Sequence, residues 1–326
     1  MNKKILIDKN GPPSVMKWVE APLKGPKEGE VSIKHTAIGL NYIDTYHRSG
    51  LYSLPLPAEI GMEGAGIITD VGKGVKNLKS GDRVAYGLGP PGSYSDQRNI
   101  QADKLIKIPE KISDKIAAAI MLKGMTVEYL LERTFKVKNT DTVLFHAAAG
   151  GVGLIACQWL KSIGANIIGT VGNDEKARLA KEAGCDHTIL YEEEDFLDKV
   201  LDITGGKGVN VVYDGVGKNT ALKSLECLSP LGMLVLFGNS SGNSPQIDPS
   251  LLAAKGSLFL TRPTLMTYCS SKEDMNYSAG RVFEMLENRN IIVDKTIEYL
   301  LSDVVNAHAD LENRRTNGSV VLINDH

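Results

Sequence analysis

Cysteine is scarce and scattered in this chain. Cys157, Cys185, Cys227 and Cys269 include no C-x-x-C pair, which excludes a zinc ribbon and a compact disulfide framework. Free thiols in a reducing cytoplasm are expected. Long apolar runs are missing too. Met1-Asn-Lys-Lys-Ile-Leu-Ile-Asp8 brings in an acid after three apolar residues, so it does not read as a signal peptide, and no stretch is long enough to span a bilayer. Charge of one sign is also lacking. With 37 Lys+Arg against 39 Asp+Glu the formal net charge is −2, which gives no electrostatic case for a nucleic-acid or anionic-membrane partner. Internal repeats and low-complexity tracts are absent.

What is present is an ordinary globular composition: 42% hydrophobic and 23% charged residues, with a mean hydropathy of −0.11. At 326 residues the chain is too long for one simple core, so two domains are expected.

The most informative stretch runs from Thr142 to Leu160 and reads as strand, tight turn, helix. Small residues at Ala148, Gly150 and Gly153 give the spacing G-x-G-x-x-G with alanine in first place. The first lets the chain turn off the strand, Gly150 admits a pyrophosphate against the backbone, and Gly153 lets helix and strand pack closely. Phosphates would sit on the free N–H groups of a helix starting near Gly151. After Gly164, Ala165–Val171 reads as a second buried strand, completing a βαβ unit. An Asp or Glu at the end of that strand would bind a ribose 2′-OH. The residue there is Gly172, and Asn173, Lys176 and Arg178 follow. NADP is therefore favoured over NAD. The competing role for Lys176 and Arg178 is a solvated helix face paired with Glu175 and Glu182.

Residues 1 to about 122 read as a small, irregular β-rich barrel, with strands at Val31–Ile38, Gly66–Val71 and Asp82–Tyr86. Asn41–Gly50, a short helical or looped piece, and the proline-bearing Leu51–Pro57 interrupt it. A helix at Gly124–Arg133 then leads into α/β alternation. Asp174 is expected to cap a helix running to Gly184. Helices at Phe196–Thr204 and Lys218–Leu228 alternate with strands at His187–Tyr191, Gly208–Asp214, Gly232–Phe237 and Ser257–Leu260. Six strands with right-handed crossovers make a doubly wound parallel sheet. The tail carries a helix at Lys272–Glu287, a strand at Thr296–Leu300, a helix at Asp303–Arg314 capped by Ser302, and a last strand at Ser319–Ile323. The expected organisation is a β-rich domain from residues 1–122 and 263–326, with a dinucleotide-binding domain at 123–262.

Six segments carry a more specific likeness: Ala37–Tyr46, Gly61–Gly66, Gly81–Val84, Phe145–Gly153, Val212–Gly217 and Phe237–Gly242. Through them nearly the whole chain resembles a medium-chain dehydrogenase/reductase, a GroES-like barrel joined to a Rossmann sheet, and within it the zeta-crystallin-like NADPH:quinone oxidoreductases. Zinc alcohol dehydrogenases of that superfamily place Cys and His ligands where this chain has Asn41 and Met62. An amide and a thioether hold zinc poorly. No metal is expected, and His47 near Asp44 lacks a third ligand. The resemblance implies hydride transfer from NADPH to a quinone in the cleft between the domains, an acceptor that needs positioning rather than a Lewis acid. Asn41, Tyr46 and Tyr52 are the candidate catalytic groups, since a phenol or amide can donate to a developing oxyanion. For Asp44, a structural role at a helix start is favoured over acid/base work. The resemblance further implies cofactor contacts from Thr126, Gly150, Gly151, Val152, Gly172, Asn173, Lys176, Tyr191, Gly217, Phe237, Gly238, Asn239, Ser240 and Arg314.

Other readings are a zinc-free enone or enal double-bond reductase, separable by acceptor preference, and a non-catalytic NADPH-binding structural or RNA-binding protein. The RNA version predicts a basic face, against the mixed charges here. Tyr268-Cys-Ser-Ser-Lys272 matches the Y-x-x-x-K of short-chain dehydrogenases, but such an enzyme begins with its glycine turn. A homodimer paired through the apolar Gly256–Leu260 edge is the expected assembly.

Overall fold

The computed structural model describes residues 2–294 and 296–324. Backbone contacts divide the chain into unit 1 (Met1–Met125, Ser271–Phe283 and Val293–His326) and unit 2 (Thr126–Ser270 and Glu284–Ile292).

Unit 1 opens with β1 (Lys3–Ile7), β2 (Lys17–Glu20) and the long β3 (Glu30–Leu40), followed by α1 (Tyr42–Ser49). Next come β4 (Ala58–Glu59), β5 (Glu63–Val71), β6 (Arg83–Tyr86), β7 (Gln97–Gln101) and β8 (Ile106–Lys107), before α2 (Asp114–Glu128) enters unit 2. Unit 2 alternates β9 (Thr142–Phe145), α3 (Gly151–Ile163), β10 (Asn166–Val171), α4 (Asp174–Glu182), β11 (His187–Leu190) and α5 (Phe196–Thr204). It continues with β12 (Val209–Asp214), α6 (Ala221–Glu226), β13 (Leu228–Leu236), α7 (Pro249–Ala254), β14 (Phe259–Thr261) and α8 (Leu265–Tyr268). The tail is α9 (Lys272–Glu287), β15 (Ile297–Leu300), α10 (Val304–Glu312) and β16 (Val320–Ile323).

In unit 1, one sheet has the order β2-β1-β4 and a larger one runs β15-β16-β3-β5-β6-β8, with β7 also paired to β3. The alternation of β3 gives way to full burial from Ala37 to Leu40, because the tail strand β16 pairs with Ile38, Gly39 and Leu40. Residues 280 to 284 positions away thus complete the strand that delivers the chain to α1. Around it, Ile38, Leu40, Ile60, Tyr94, Leu301, Val304, Ala307 and Leu322 form one core.

Unit 2 is a parallel sheet of order β11-β10-β9-β12-β13-β14. The order reverses between β9 and β12, so the C-terminal ends of these strands flank a topological switch point, where ligands bind in such sheets. Leu144, Ile168, Ile189, Val212 and Leu234 centre its core, all at most 1% exposed. No helix of the described residues is long and apolar enough to cross a membrane.

Several boundaries differ from the sequence expectation. The helix expected at Gly124 begins ten residues earlier at Asp114, where Arg83 Nε donates to the Asp114 carboxylate at 2.8 Å and the apolar Ala117–Met121 is buried. From Tyr129 to Thr134 it widens to a π-helix. Asp174 is not the cap of α4. Asn173 is, its side chain accepting the Lys176 N–H at 2.9 Å. The expected helix Lys218–Leu228 shrinks to Ala221–Glu226, because Gly217 turns at φ 87° and Leu228 is drawn into β13 beside Val209. Ser302 does not cap α10: it lies in a 3-10 turn, Leu301–Asp303, and Asp303 precedes the helix.

Candidate active site

Unit 2 builds a dinucleotide turn. Beyond β9 the chain reverses over Ala147, at a left-handed φ of 54°, and α3 starts with Gly150 as its N-cap. A Cβ on Gly153 would stand 2.4 Å from Ala147 O and 2.6 Å from Ala148 O, so helix and turn touch backbone to backbone. A Cβ on Gly150 would meet only Ala147 O, at 3.2 Å. The turn is closed behind at Gly153 and open in front at Gly150. The N–H groups of Gly151, Val152 and Gly153 precede the first helical bond, Leu154 N–H to Gly150 O at 2.9 Å, which leaves them for an anion.

At the end of β10, a Cβ on Gly172 would lie 2.9 Å from Tyr191 Oη. The phenol therefore stands over the place from which a ribose-binding acid would project. Asn173 is exposed, Lys176 is half-buried, and Arg178 is tied to Glu182 in an exposed pair. Beyond β12 and β13 two loops lock together: the N–H groups of Phe237, Ser240 and Ser241 donate to Asp214 O, Gly215 O and Val216 O at 2.9, 3.1 and 2.9 Å. Gly238 and Gly217 permit the contact, since a Cβ on Gly238 would be 2.5 Å from Gly215 O and one on Gly217 would be 2.8 Å from Gly242 O. Asn239 is buried in this loop. Thus the set Gly150–Val152, Gly172, Asn173, Lys176, Tyr191, Gly217 and Phe237–Ser240 gathers at one end of the sheet. Thr126 is buried in α2, and Arg314 falls in unit 1, exposed beyond α10 at φ 59°.

The buried Asp214 carboxylate holds this end of the sheet. It accepts the N–H groups of Val216 (2.8 Å) and Gly217 (3.0 Å) and the hydroxyls of Thr220 (2.7 Å) and Ser224 (3.3 Å). Because Ser224 Oγ donates to Asp214, it accepts from His146 Nε2 at 3.0 Å, which leaves His146 Nδ1 to accept from Thr170 Oγ1 at 2.9 Å. Burial holds His146 below the ordinary histidine range, consistent with that neutral tautomer.

Unit 1 carries the other half of the predicted set on or beside α1. Asn41 is the N-cap and is 6% exposed; Tyr46 is 8% exposed within the helix. The helix ends at Gly50 in the left-handed region, and Tyr52 then returns its N–H to Tyr46 O at 3.1 Å. The two phenol rings meet edge to face at 5.1 Å. Asn41 is held from two sides. Its N–H donates to Asp44 Oδ2 and its Nδ2 to Glu63 Oε2, at 2.9 and 2.8 Å. Glu63 Oε2 also accepts Lys123 Nζ at 2.9 Å, and Oε1 accepts the Leu122 N–H at 2.7 Å; Glu63 is 0% and Lys123 4% exposed. Burial pushes the Asp44 carboxyl up to about 7 against the opposing bonds from Asn41 and Tyr94.

Zinc does not fit this place. Both Glu63 oxygens are committed to Asn41, Lys123 and the backbone, Asn41 offers only an amide and Met62 only a thioether. All four cysteines are buried in unit 2, and among the described residues no cluster of three His, Cys, Asp or Glu could hold a metal. The Y-x-x-x-K match does not form a catalytic pair either. Lys272 Nζ donates to Asp103 O and Leu105 O, while Tyr268 stacks on Tyr129 at 4.6 Å and accepts from Thr134.

The sequence does not reveal Glu63, Lys123, Tyr94 and Asp214 as parts of these networks. Lys123, a lone charge in the apolar run Ala117–Met125, was the one visible signal.

Two family models match the chain, an alcohol dehydrogenase GroES-like domain over residues 27–110 and a zinc-binding dehydrogenase over 151–279. Quinone oxidoreductase 1 of Escherichia coli is 47% identical over 326 residues, covering 99% of this chain and all of that protein. The chain belongs to the quinone oxidoreductases of the medium-chain dehydrogenase/reductase superfamily. A crystal structure of the Escherichia coli quinone oxidoreductase complexed with NADPH superposes with a TM-score of 0.96, covering 98% of this chain and 99% of that one. A 2-haloacrylate reductase from a Burkholderia species is 42% identical over 98% of both chains. The zinc in the second family's description has no counterpart in the residues around Asn41.

Proposed function

We propose that the protein is an NADPH-dependent quinone reductase working without a metal, through a hydride supplied by the nicotinamide. The observation that carries this reading is Asn41: a buried residue, its side-chain amide held by Glu63 and its backbone N–H by Asp44, stands where the resemblance puts a metal ligand and caps the helix that bears Tyr46. An acceptor that becomes an aromatic anion on receiving a hydride needs orientation and hydrogen-bond donors, which an amide and two phenols supply. Gly150, Gly151 and Val152 would bind the pyrophosphate, and Lys176, with no acid at Gly172, the 2′-phosphate. Asn173 spends Oδ1 on its cap, leaving its NH2 for the ligand, while Tyr191 would flank the adenine. Thr126, Gly217, Phe237, Gly238, Asn239, Ser240 and Arg314 complete the contact set we assign. Exposed Phe259 (53%), Leu260 (37%) and Leu231 (67%) lie on or beside the edge strand β14 and support a homodimer through that edge.

The test is NADPH oxidation by a simple quinone, with NADH and a chelator as controls and an activated acrylate as a second acceptor. Chelator-resistant turnover of the quinone favouring NADPH is expected. Preference for the acrylate would move the protein to the double-bond reductases. Loss of turnover in Tyr46→Phe or Tyr52→Phe identifies the working phenol, and unchanged turnover in both removes the phenols from the mechanism.

A further inference from the structure

We infer that a closed ring of buried side chains fixes the rotation of α1, and that Arg48, His308 and Tyr94 are positioning residues for Asn41 and Tyr46. This rests on the reading above of those two residues as acceptor-facing groups. Asp44 and Arg48 are four apart on α1 and so lie on one face of it. Arg48 Nη1 contacts His308 Nδ1 of α10 at 2.9 Å, His308 Nε2 contacts Tyr94 Oη at 2.9 Å, and Tyr94 Oη contacts Asp44 Oδ2 at 2.9 Å. The ring therefore returns to the helix it left. Asp44, Arg48, Tyr94 and His308 are all at most 2% exposed.

The direction of every bond follows from Arg48. A guanidinium only donates, so His308 Nδ1 accepts. The neutral ring then carries its proton on Nε2 and donates to Tyr94, whose single proton goes to Asp44 Oδ2. Burial and the Arg48 charge hold His308 down to about 3, in keeping with a neutral ring. Such a chain passes no proton onward, because its first donor never deprotonates. Its effect is geometric. Arg48 is also clamped by Glu312 of α10 at 2.6 and 2.9 Å and by Gly11 O at 3.0 Å. Held at two points one helical turn apart, α1 has no freedom to roll about its axis, and the N-cap Asn41 keeps its orientation.

The decisive comparison is His308→Gln against His308→Leu. A glutamine can accept from Arg48 through Oε1 and donate to Tyr94 through Nε2, whereas leucine fills space and breaks the ring. Expected for His308→Leu is a loss of about tenfold or more in quinone kcat/KM, with NADPH affinity within about twofold. Hydrogen exchange over residues 41–52 should accelerate by about tenfold as well. His308→Gln should restore both. Wild-type behaviour of His308→Leu, or equal losses in both variants, overturns the inference. Should His308→Leu not fold, Tyr94→Phe removes one oxygen from the ring, and wild-type exchange and kcat/KM in that variant overturn it equally. If the wild type reduces no quinone, the functional reading fails while the exchange of residues 41–52 still decides the ring.

Discussion

Replacing Asp44 by Asn separates charge from shape at the start of α1. Burial raises the Asp44 carboxyl from 3.8 to about 7, the bonds from Asn41 and Tyr94 and the charge of Lys123 pull it down, and Glu63 pushes it up. The folded protein therefore holds a proton that the unfolded chain releases between pH 3.8 and about 7. For a raised carboxyl, the stabilising contribution is complete below the unfolded value and lost as pH climbs through the folded one. Each pKa unit corresponds to about 1.4 kcal/mol, so the loss across this window is on the order of 4 kcal/mol. The Asn side chain can still accept from Asn41 N–H and Tyr94 through its oxygen. Its NH2 takes the place of Asp44 Oδ1, which has no hydrogen-bond partner among the described residues, and brings two buried donors where the protonated carboxyl has one, at a cost of about 1–3 kcal/mol relative to the protonated wild type.

The variant should thus be less stable than wild type near pH 4 and more stable near pH 8, with the curves crossing in between. The two tryptophans, Trp18 in unit 1 and Trp159 in unit 2, allow the units to be followed separately. Urea unfolding of Asp44→Asn in a Trp159→Phe background, monitored through Trp18 from about pH 4 to 8.5, measures the difference. Parallel curves across that range would refute the reasoning, because they would place Asp44 at an ordinary carboxylate value.

Gly153→Ala drives a Cβ against two backbone carbonyls and should abolish NADPH binding together with the fold of unit 2. Gly150→Ala meets one carbonyl at 3.2 Å and should keep unit 2 within about 1 kcal/mol while weakening NADPH, a contrast that calorimetric binding and unfolding will read. Lys176→Ala should raise the NADPH dissociation constant about tenfold, the cost of one charge-assisted contact, and leave NADH unchanged; equal effects on both would remove the phosphate assignment. Phe259→Lys places a charge on the β14 edge and should convert a dimer to monomers by light scattering, with turnover per chain largely kept.

What the sequence made legible follows distance along the chain. The glycine turn, the strands on either side of α3, and the gathering of Gly172, Tyr191 and Phe237 at one end of the sheet rest on local pattern plus the fixed geometry of a parallel sheet. The expected cap of α4 lies one residue late, because Asn173 and Asp174 are both good caps and only the bond to the Lys176 N–H separates them. The expected helix at Lys218 failed for a different reason. Its propensity is overridden by the Asp214 carboxylate, which gathers Val216, Gly217 and Thr220 into a turn. Asn41 and Tyr46 were visible as polar residues in a short shaped segment, but their supports were not. Glu63, Tyr94, Lys123 and His308 come from four other segments, and only tertiary packing brings them to α1.

Those supports bear on the role proposed for Asn41 toward an acceptor that gains negative charge. A buried carboxylate beside it, taken alone, would oppose that charge. Glu63 is not alone: one oxygen accepts the Lys123 ammonium together with the Asn41 amide, and the other accepts the Leu122 N–H. The pair is neutral as a unit, so Glu63 orients the amide without projecting its charge. A metal would supply both functions at once, positive charge and fixed geometry. Here only the geometry is kept, supplied by Glu63 and the Asp44 ring, while Lys123 cancels the charge of Glu63. That pairing also accounts for the burial of an ammonium group at 4% exposure. Moved to the surface, Lys123 would leave Glu63 as an unpaired interior charge, which is costly whatever the substrate.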